Sequence, residues 1–293
     1  MEQFLHKKEI SHRLFFLTKY LDNFGKLIES ENFPKTSMFT GNKGQGKYTL
    51  ISHLLFSIKD DKYDNNNYQI NKNSKFYNSF YSGINTNFIC IDSSLIKIDD
   101  IRELKMNILS KKIKNKKRFI FFDDIDLINL NCANALLKII EEPLNNDYFF
   151  LINNKTQNLI ETIKSRCIEF KIDMNFKGLN NNIQEFLKTF ELKPLIDFNH
   201  NLLTPGLFLR FNQIMYEYNL DLNDTIYENF QKILNNHKRN KLRINIDLMK
   251  YIINFYFEKE NKSISKFQII KIIDELFNYN LSQKTFLETV KNI

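Results

Sequence analysis

A chain of 293 residues with 43% hydrophobic and 26% charged side chains can bury a sizeable core in one to three domains. The formal net charge is +8, yet the lysines are scattered among plentiful asparagine, isoleucine, phenylalanine and tyrosine. The excess therefore reads as compositional bias and argues against a dedicated nucleic-acid groove. No apolar run approaches a membrane span, and the start M-E-Q-F-L-H-K-K lacks the apolar stretch of a secretory signal.

Residues 10–29 carry a helical pattern that ends at the Asn32-Phe33-Pro34 break. Met38-Phe39 reads as a short buried strand, and a second helical pattern covers residues 49–58. Residues 59–87 are polar and read as a surface insertion, with a short aromatic strand around residues 76–81. Residues 88–92 form a buried strand and residues 98–109 an amphipathic helix, followed by a lysine-rich turn. Phe119 to Phe122 are four consecutive large apolar residues, as suits a strand covered on both faces of a parallel sheet. From Asn131, Ala133, Leu136, Leu137 and Ile140 fall on one helical face until Pro143 stops the helix. Tyr148 to Ile152 is a further strand, closing on Asn153-Asn154. After Phe170 strand-like runs cease. Helices are expected over 183–190, 213–234, 242–258, 264–277 and 281–293, the fourth with Phe267, Ile270, Ile273 and Phe277 on one face.

Chemistry concentrates where these strands end. Gly41-Asn42-Lys43-Gly44-Gln45-Gly46-Lys47 follows a strand and opens a helix, so its amides, the helix dipole and the lysine can cradle a phosphate. The full motif ends in Gly-Lys-Ser/Thr, whose hydroxyl holds magnesium, and here that position is Tyr48. Thr49 follows, but it stands about 100° further round the axis. Asp123 and Asp124 end the central strand, at the sheet edge where such folds bind ligands. Asp123 suits either water-mediated magnesium or a helix N-cap, and the preceding P-loop favours the first. Three separated cysteines, Cys90, Cys132 and Cys167, contain no CxxC pair. Neither a disulfide framework nor zinc is expected, and a reducing cytoplasm is the simplest setting. His53 lacks a second metal ligand near it and suits packing.

Asp100-Ile101-Arg102-Glu103-Leu104, the block from Arg118 to Pro143 with Asn134-Ala135-Leu136-Leu137-Lys138 and Glu141-Glu142-Pro143, and Ser165-Arg166-Cys167 occur in order. Together they resemble the clamp-loader branch of the AAA+ ATPases, and within it the delta-prime-type subunits of bacterial DNA polymerase III. The resemblance covers residues 10–170 well and the remainder only by helical character. It implies an α/β AAA+ P-loop domain with a parallel sheet over 1–170, a helical lid over 171–212, and an all-α collar domain over 213–293. The implied role is a largely non-catalytic subunit of a hetero-pentamer with motor subunits and a delta subunit. That assembly would place a sliding clamp on primed DNA.

The resemblance also assigns roles to single residues. Arg166 would be a finger inserted into a neighbour's ATP site, and Asn153 or Asn154 would sense a γ-phosphate, against the simpler reading of a turn. Gly41, Gly44, Gly46, Lys47, Thr49, Asp123 and Asp124 would line the chain's own site and hold ATP or ADP weakly. Three departures weigh against hydrolysis: Tyr48, Asp124 where hydrolysing relatives carry glutamate, and Leu207 where they carry arginine. Arg210, about one turn later, does not inherit that last role. An ATP-hydrolysing motor subunit and a P-loop small-molecule kinase are the alternatives.

Overall fold

The computed structural model describes residues 10–82, 87–110, 117–144, 146–174, 179–191, 193–196, 198, 203–240, 244–260, 264–278 and 282–291. The expected lysine-rich turn, residues 111–116, and residues 83–86 of the expected insertion lie outside them. The chain separates into two compact units, residues 1–186 and 187–293.

The first unit is built on five parallel strands: β1 (Thr36–Thr40), β2 (Phe88–Asp92), β3 (Arg118–Asp123), β4 (Asp147–Asn153) and β5 (Ile168–Lys171), in the order β2-β3-β4-β1-β5. Alternation along the strands sorts the core into two layers. Phe39, Phe119, Phe121, Tyr148, Phe150 and Ile152 face α1 (Thr18–Glu29), α2 (Lys47–Lys59) and α3 (Lys75–Ser82). Met38, Ile120, Phe122, Phe149 and Leu151 face α4 (Ile98–Ser110), α5 (Leu130–Ile140) and the single turn α6 (Glu161–Lys164). Because β3 and β4 are covered on both sides, they read as continuous apolar runs, as expected.

The sequence reading needs correction in three places here. Only residues 18–29 of the expected first helix are helical. Residues 11–14 instead run beside the 60–70 loop, with Ile70 N–H on the His12 carbonyl at 2.8 Å and Leu14 N–H on the Tyr68 carbonyl at 3.1 Å. The 59–87 stretch is more than a surface insertion, since Tyr63 and Ile70 join the core. The expected aromatic strand is helix α3, whose Phe76 and Phe80 both pack on Phe56 while the Tyr77 and Tyr81 rings meet at a tilt, 4.5 Å between centroids. Aromatic pairs four residues apart lie on one helical face, and that spacing outweighs aromatic strand propensity.

His53 on α2 ties the 60–70 loop and the N-terminal segment together. Its ring is fully buried, with Nε2 donating to the Ser11 carbonyl at 2.9 Å and Nδ1 accepting from the Tyr63 hydroxyl at 2.9 Å. This is packing, as expected for a histidine without a second ligand. Burial lowers its pKa to about 4. Between pH 6.5 and 4 the unfolded chain binds the extra proton, so stability is full above that window and lost as pH falls through it. At about 1.4 kcal/mol per pH unit, His53 is expected to remove about 3 kcal/mol across the window. Urea titrations from pH 7 to 4 check this, with His53→Gln flattening the dependence; an unchanged slope in that variant would contradict it.

Helix α7 (Leu179–Thr189) lies mostly in the first unit and ends in the second, which holds α8 (Pro205–Tyr218), α9 (Ile226–Asn240), α10 (Ile244–Glu260), α11 (Ile264–Asn278) and α12 (Gln283–Lys291). The helix expected over 213–234 is two helices. Asn219 ends α8 in the left-handed region with φ 52°, and Thr225 with Glu228 forms a capping box that starts α9. On α11 the core face is Ile269, Ile273 and Leu276, while Phe267 is 73% exposed, which corrects the face read from the sequence.

Candidate nucleotide-type site

The carboxyl ends of β1, β3 and β4 meet at one edge, and every candidate residue for the chain's own site stands there. Gly41 follows β1, its N–H on the Asn153 carbonyl at 3.2 Å. The loop turns at Gly44 and Gly46, with φ 81° and 83°, a region that glycine enters without steric cost. A side chain at Gly41 would meet Gln45 Oε1 at 2.3 Å and the Ile172 carbonyl at 2.6 Å, so this glycine is demanded by the loop's own packing.

Lys47 opens α2 and is 2% exposed. Its Nζ bonds the carbonyls of Gly41 and Asn42 at 2.7 and 2.8 Å, which turns the cation onto its own loop. Burial lowers its pKa to about 7 against the pull of Asp123, Asp126 and Asp124, and Lys155 lowers it further. At neutral pH the lysine without a ligand is therefore only partly charged. Tyr48, in the place of the magnesium-binding hydroxyl, has its phenol 3.4 Å from Cys90 Sγ on β2. Burial first, then Cys90, raises its pKa and keeps it protonated. Thr49, the third residue of α2, is half-buried.

Asp123 ends β3 at 1% exposure and accepts the Asp124 N–H at 3.0 Å. It caps no α-helix: the cap of α5 is Asn129, which accepts from Cys132 N–H at 2.9 Å. Asp124 adopts φ 51° and accepts from Asn154 Nδ2 at 2.6 Å. Asn153 accepts the Lys155 N–H at 2.9 Å, so both asparagines make the turn after β4. The sequence reading missed Asp126, which receives the N–H groups of Asn154, Thr156 and Gln157 and the Thr156 hydroxyl, and so holds that turn against β3. Its signal was the third acid in Asp123-Asp124-Ile125-Asp126. It also missed Cys90 and Gln45, whose contacts depend on elements brought together only by the fold.

The residues as placed do not favour a tightly held nucleotide, because Lys47 Nζ is closed on the carbonyls of Gly41 and Asn42. Gln45 Oε1 is buried beside Gly41 without a hydrogen-bond partner. Among the described residues no cluster of three metal-ligating side chains occurs.

Arg166 lies away from this edge, between α6 and β5. Its Nη1 donates to the Thr162 carbonyl at 3.1 Å, and its Nε is 3.2 Å from Glu141 Oε2. Cys167 beside it points at the Ile163 carbonyl at 3.2 Å, and burial pushes its thiol up to about 12, so it packs and is no nucleophile at neutral pH. Leu207 lies in the first turn of α8, and Arg210 Nη1 donates to Gln213 Oε1 at 3.3 Å.

Residues 17–175 match the model of a family described as DNA polymerase III, delta subunit. DNA polymerase III subunit delta' of Buchnera aphidicola subsp. Acyrthosiphon pisum is 26% identical over 224 residues, which cover 69% of this chain and 65% of the relative. DNA polymerase III subunit gamma of Buchnera aphidicola subsp. Schizaphis graminum is 34% identical over 120 residues, 36% of this chain and 33% of the relative. The chain thus spans less than two thirds of either relative's length. A crystal structure of a DNA polymerase III gamma subunit-related protein from Thermotoga maritima superposes with a TM-score of 0.51 at 14% identity, covering 92% of this chain and 96% of that one. The shared fold is a parallel sheet with a P-loop-type turn, followed by helices. Among the described residues no helix is long and apolar enough to cross a membrane.

Proposed function

Because this chain belongs to the DNA polymerase III clamp-loader family that the delta-subunit model describes, we propose that it serves as a delta-prime subunit of the loader. In this reading it is a cytoplasmic, largely non-catalytic member of a hetero-pentamer with motor subunits and a delta subunit. It reaches the sliding clamp and primed DNA through that complex. Residues 171–212 and 213–293 serve as lid and collar. Arg166 enters the neighbouring motor subunit's ATP site, where a guanidinium stabilises charge on the transferring phosphoryl group.

One observation carries the non-catalytic part: Tyr48 turns its phenol to Cys90 where a magnesium-holding hydroxyl would stand. With Lys47 closed on its own loop, ATP or ADP is bound weakly and no hydrolytic step is assigned to this chain's own residues. Asp124 adds to this, because Asn154 engages its carboxylate, which is also one methylene shorter than glutamate. The motor-subunit alternative draws on the gamma relatives but lacks all three of these groups in working form.

The test takes the purified chain and the chain recovered from its host. The isolated protein is expected to release phosphate from magnesium–ATP far below 1 s⁻¹, the low end of ordinary enzyme turnover. Millimolar ATP or ADP is expected to stabilise it by less than the roughly 2.7 kcal/mol that a ligand gives at one hundred times its dissociation constant. Affinity purification is expected to bring down the motor and delta subunits. Turnover near 1 s⁻¹, or recovery without those partners, would overturn the proposal.

A further inference from the structure

We infer that Glu141 is the positioning residue of Arg166, an inference that rests on the finger reading above. An arginine side chain has four flexible torsions, and a finger acts only when its guanidinium plane is already aimed. Arg166 follows a helix of only 4 residues, which cannot by itself fix so long a group. Glu141 can. It is the C-cap residue of α5, its N–H on the Leu137 carbonyl, and Glu142-Pro143 forbids the helix to continue past it. From this fixed point Oε2 reaches within 3.2 Å of Arg166 Nε.

Glu141 does not act alone on this group. Arg166 Nε stands 3.2 Å from Glu141 Oε2 without a linear hydrogen bond, so the carboxylate acts by charge, while Nη1 donates to the Thr162 carbonyl at 3.1 Å. Two anchors on different nitrogens fix the plane of the guanidinium, which one alone would leave free to turn.

Two measurements test this. In the full isolated chain, the Arg166 Nε–H resonance is expected to be protected from exchange, and Glu141→Gln is expected to abolish that protection while the melting temperature holds. In the reconstituted loader with primed DNA and clamp, Glu141→Gln is expected to lower kcat about five-fold, the scale of an exposed ion pair, with KM for ATP unchanged. Glu141→Asp is expected to recover part of the loss. In the Arg166→Ala background Glu141→Gln is expected to add nothing, since a residue that acts through another has no effect once that other is gone. Unaltered Nε–H exchange, a kcat that holds or rises, or the same five-fold loss in the Arg166→Ala background would each overturn the inference while leaving the finger in place. A full rate for Arg166→Ala would instead remove the finger reading and this inference with it.

Discussion

Arg166→Ala in the reconstituted complex is expected to slow hydrolysis at one neighbouring site by about 10³ to 10⁵, the range known for trans arginines. That corresponds to about 4–7 kcal/mol of barrier. Folding and assembly are expected to persist, because among the described residues the Arg166 side chain is held by Glu141 and the Thr162 carbonyl, a partly exposed arrangement worth at most about 1 kcal/mol. Other sites in the ring keep their own arginines, so total turnover falls partly while clamp loading falls further if the sites act in sequence. Arg166→Lys is expected to rescue poorly, since an ammonium lacks the planar fork. Loading rate and subunit stoichiometry, measured on the same preparation, decide the matter. Full loading by Arg166→Ala would reduce the Ser165-Arg166-Cys167 match to a structural one.

The second large effect concerns the opposite edge of the sheet. Arg118 at the start of β3 makes two parallel bonds to Asp147 at the start of β4, both at 2.8 Å, and a third to the Ile108 carbonyl at 3.1 Å. The two side chains are 6% and 3% exposed. Removing one partner leaves the other charge buried and unpaired, so Arg118→Ala is expected to cost about 3–5 kcal/mol. Replacing both, as Arg118→Met with Asp147→Leu, is expected to recover most of that loss, because an apolar pair needs no solvation. Urea unfolding of the two variants checks both statements. A loss under about 1 kcal/mol for Arg118→Ala would mean that water reaches the pair.

Much of this was legible in the chain. Phe119 to Asp123 showed a doubly covered strand ending in acids, because burial on both faces leaves no polar alternation to mislead. Gly41 to Lys47 likewise showed the loop and the helix after it. The resemblance carried the AAA+ fold further than periodicity could. What escaped was decided by distant contacts. Phe76 to Tyr81 became a helix because Phe56 offers a surface for two of its aromatics. Residues 11–14 left the helix where the 60–70 loop takes the His12 carbonyl and the Leu14 N–H. The break between α8 and α9 was readable in principle from Thr225 and Glu228, a capping box obscured by apolar residues on either side. At the site, Tyr48 announced the loss of a hydroxyl, but nothing local to it pointed to Cys90, 42 residues on.

The division into two compact units also governs what a melting curve means. Each unit closes its own apolar core, one around the strands and one among the later helices, with separate sets of buried residues. Cooperativity extends as far as a shared core, so loss of one unit does not by itself dissolve the other. A single unfolding free energy is then undefined for the whole chain. His53, Arg118 and Asp147 belong to the first unit, and their energetic effects are read from its transition alone. With no tryptophan in the sequence, an introduced probe in that unit would give the transition its own signal.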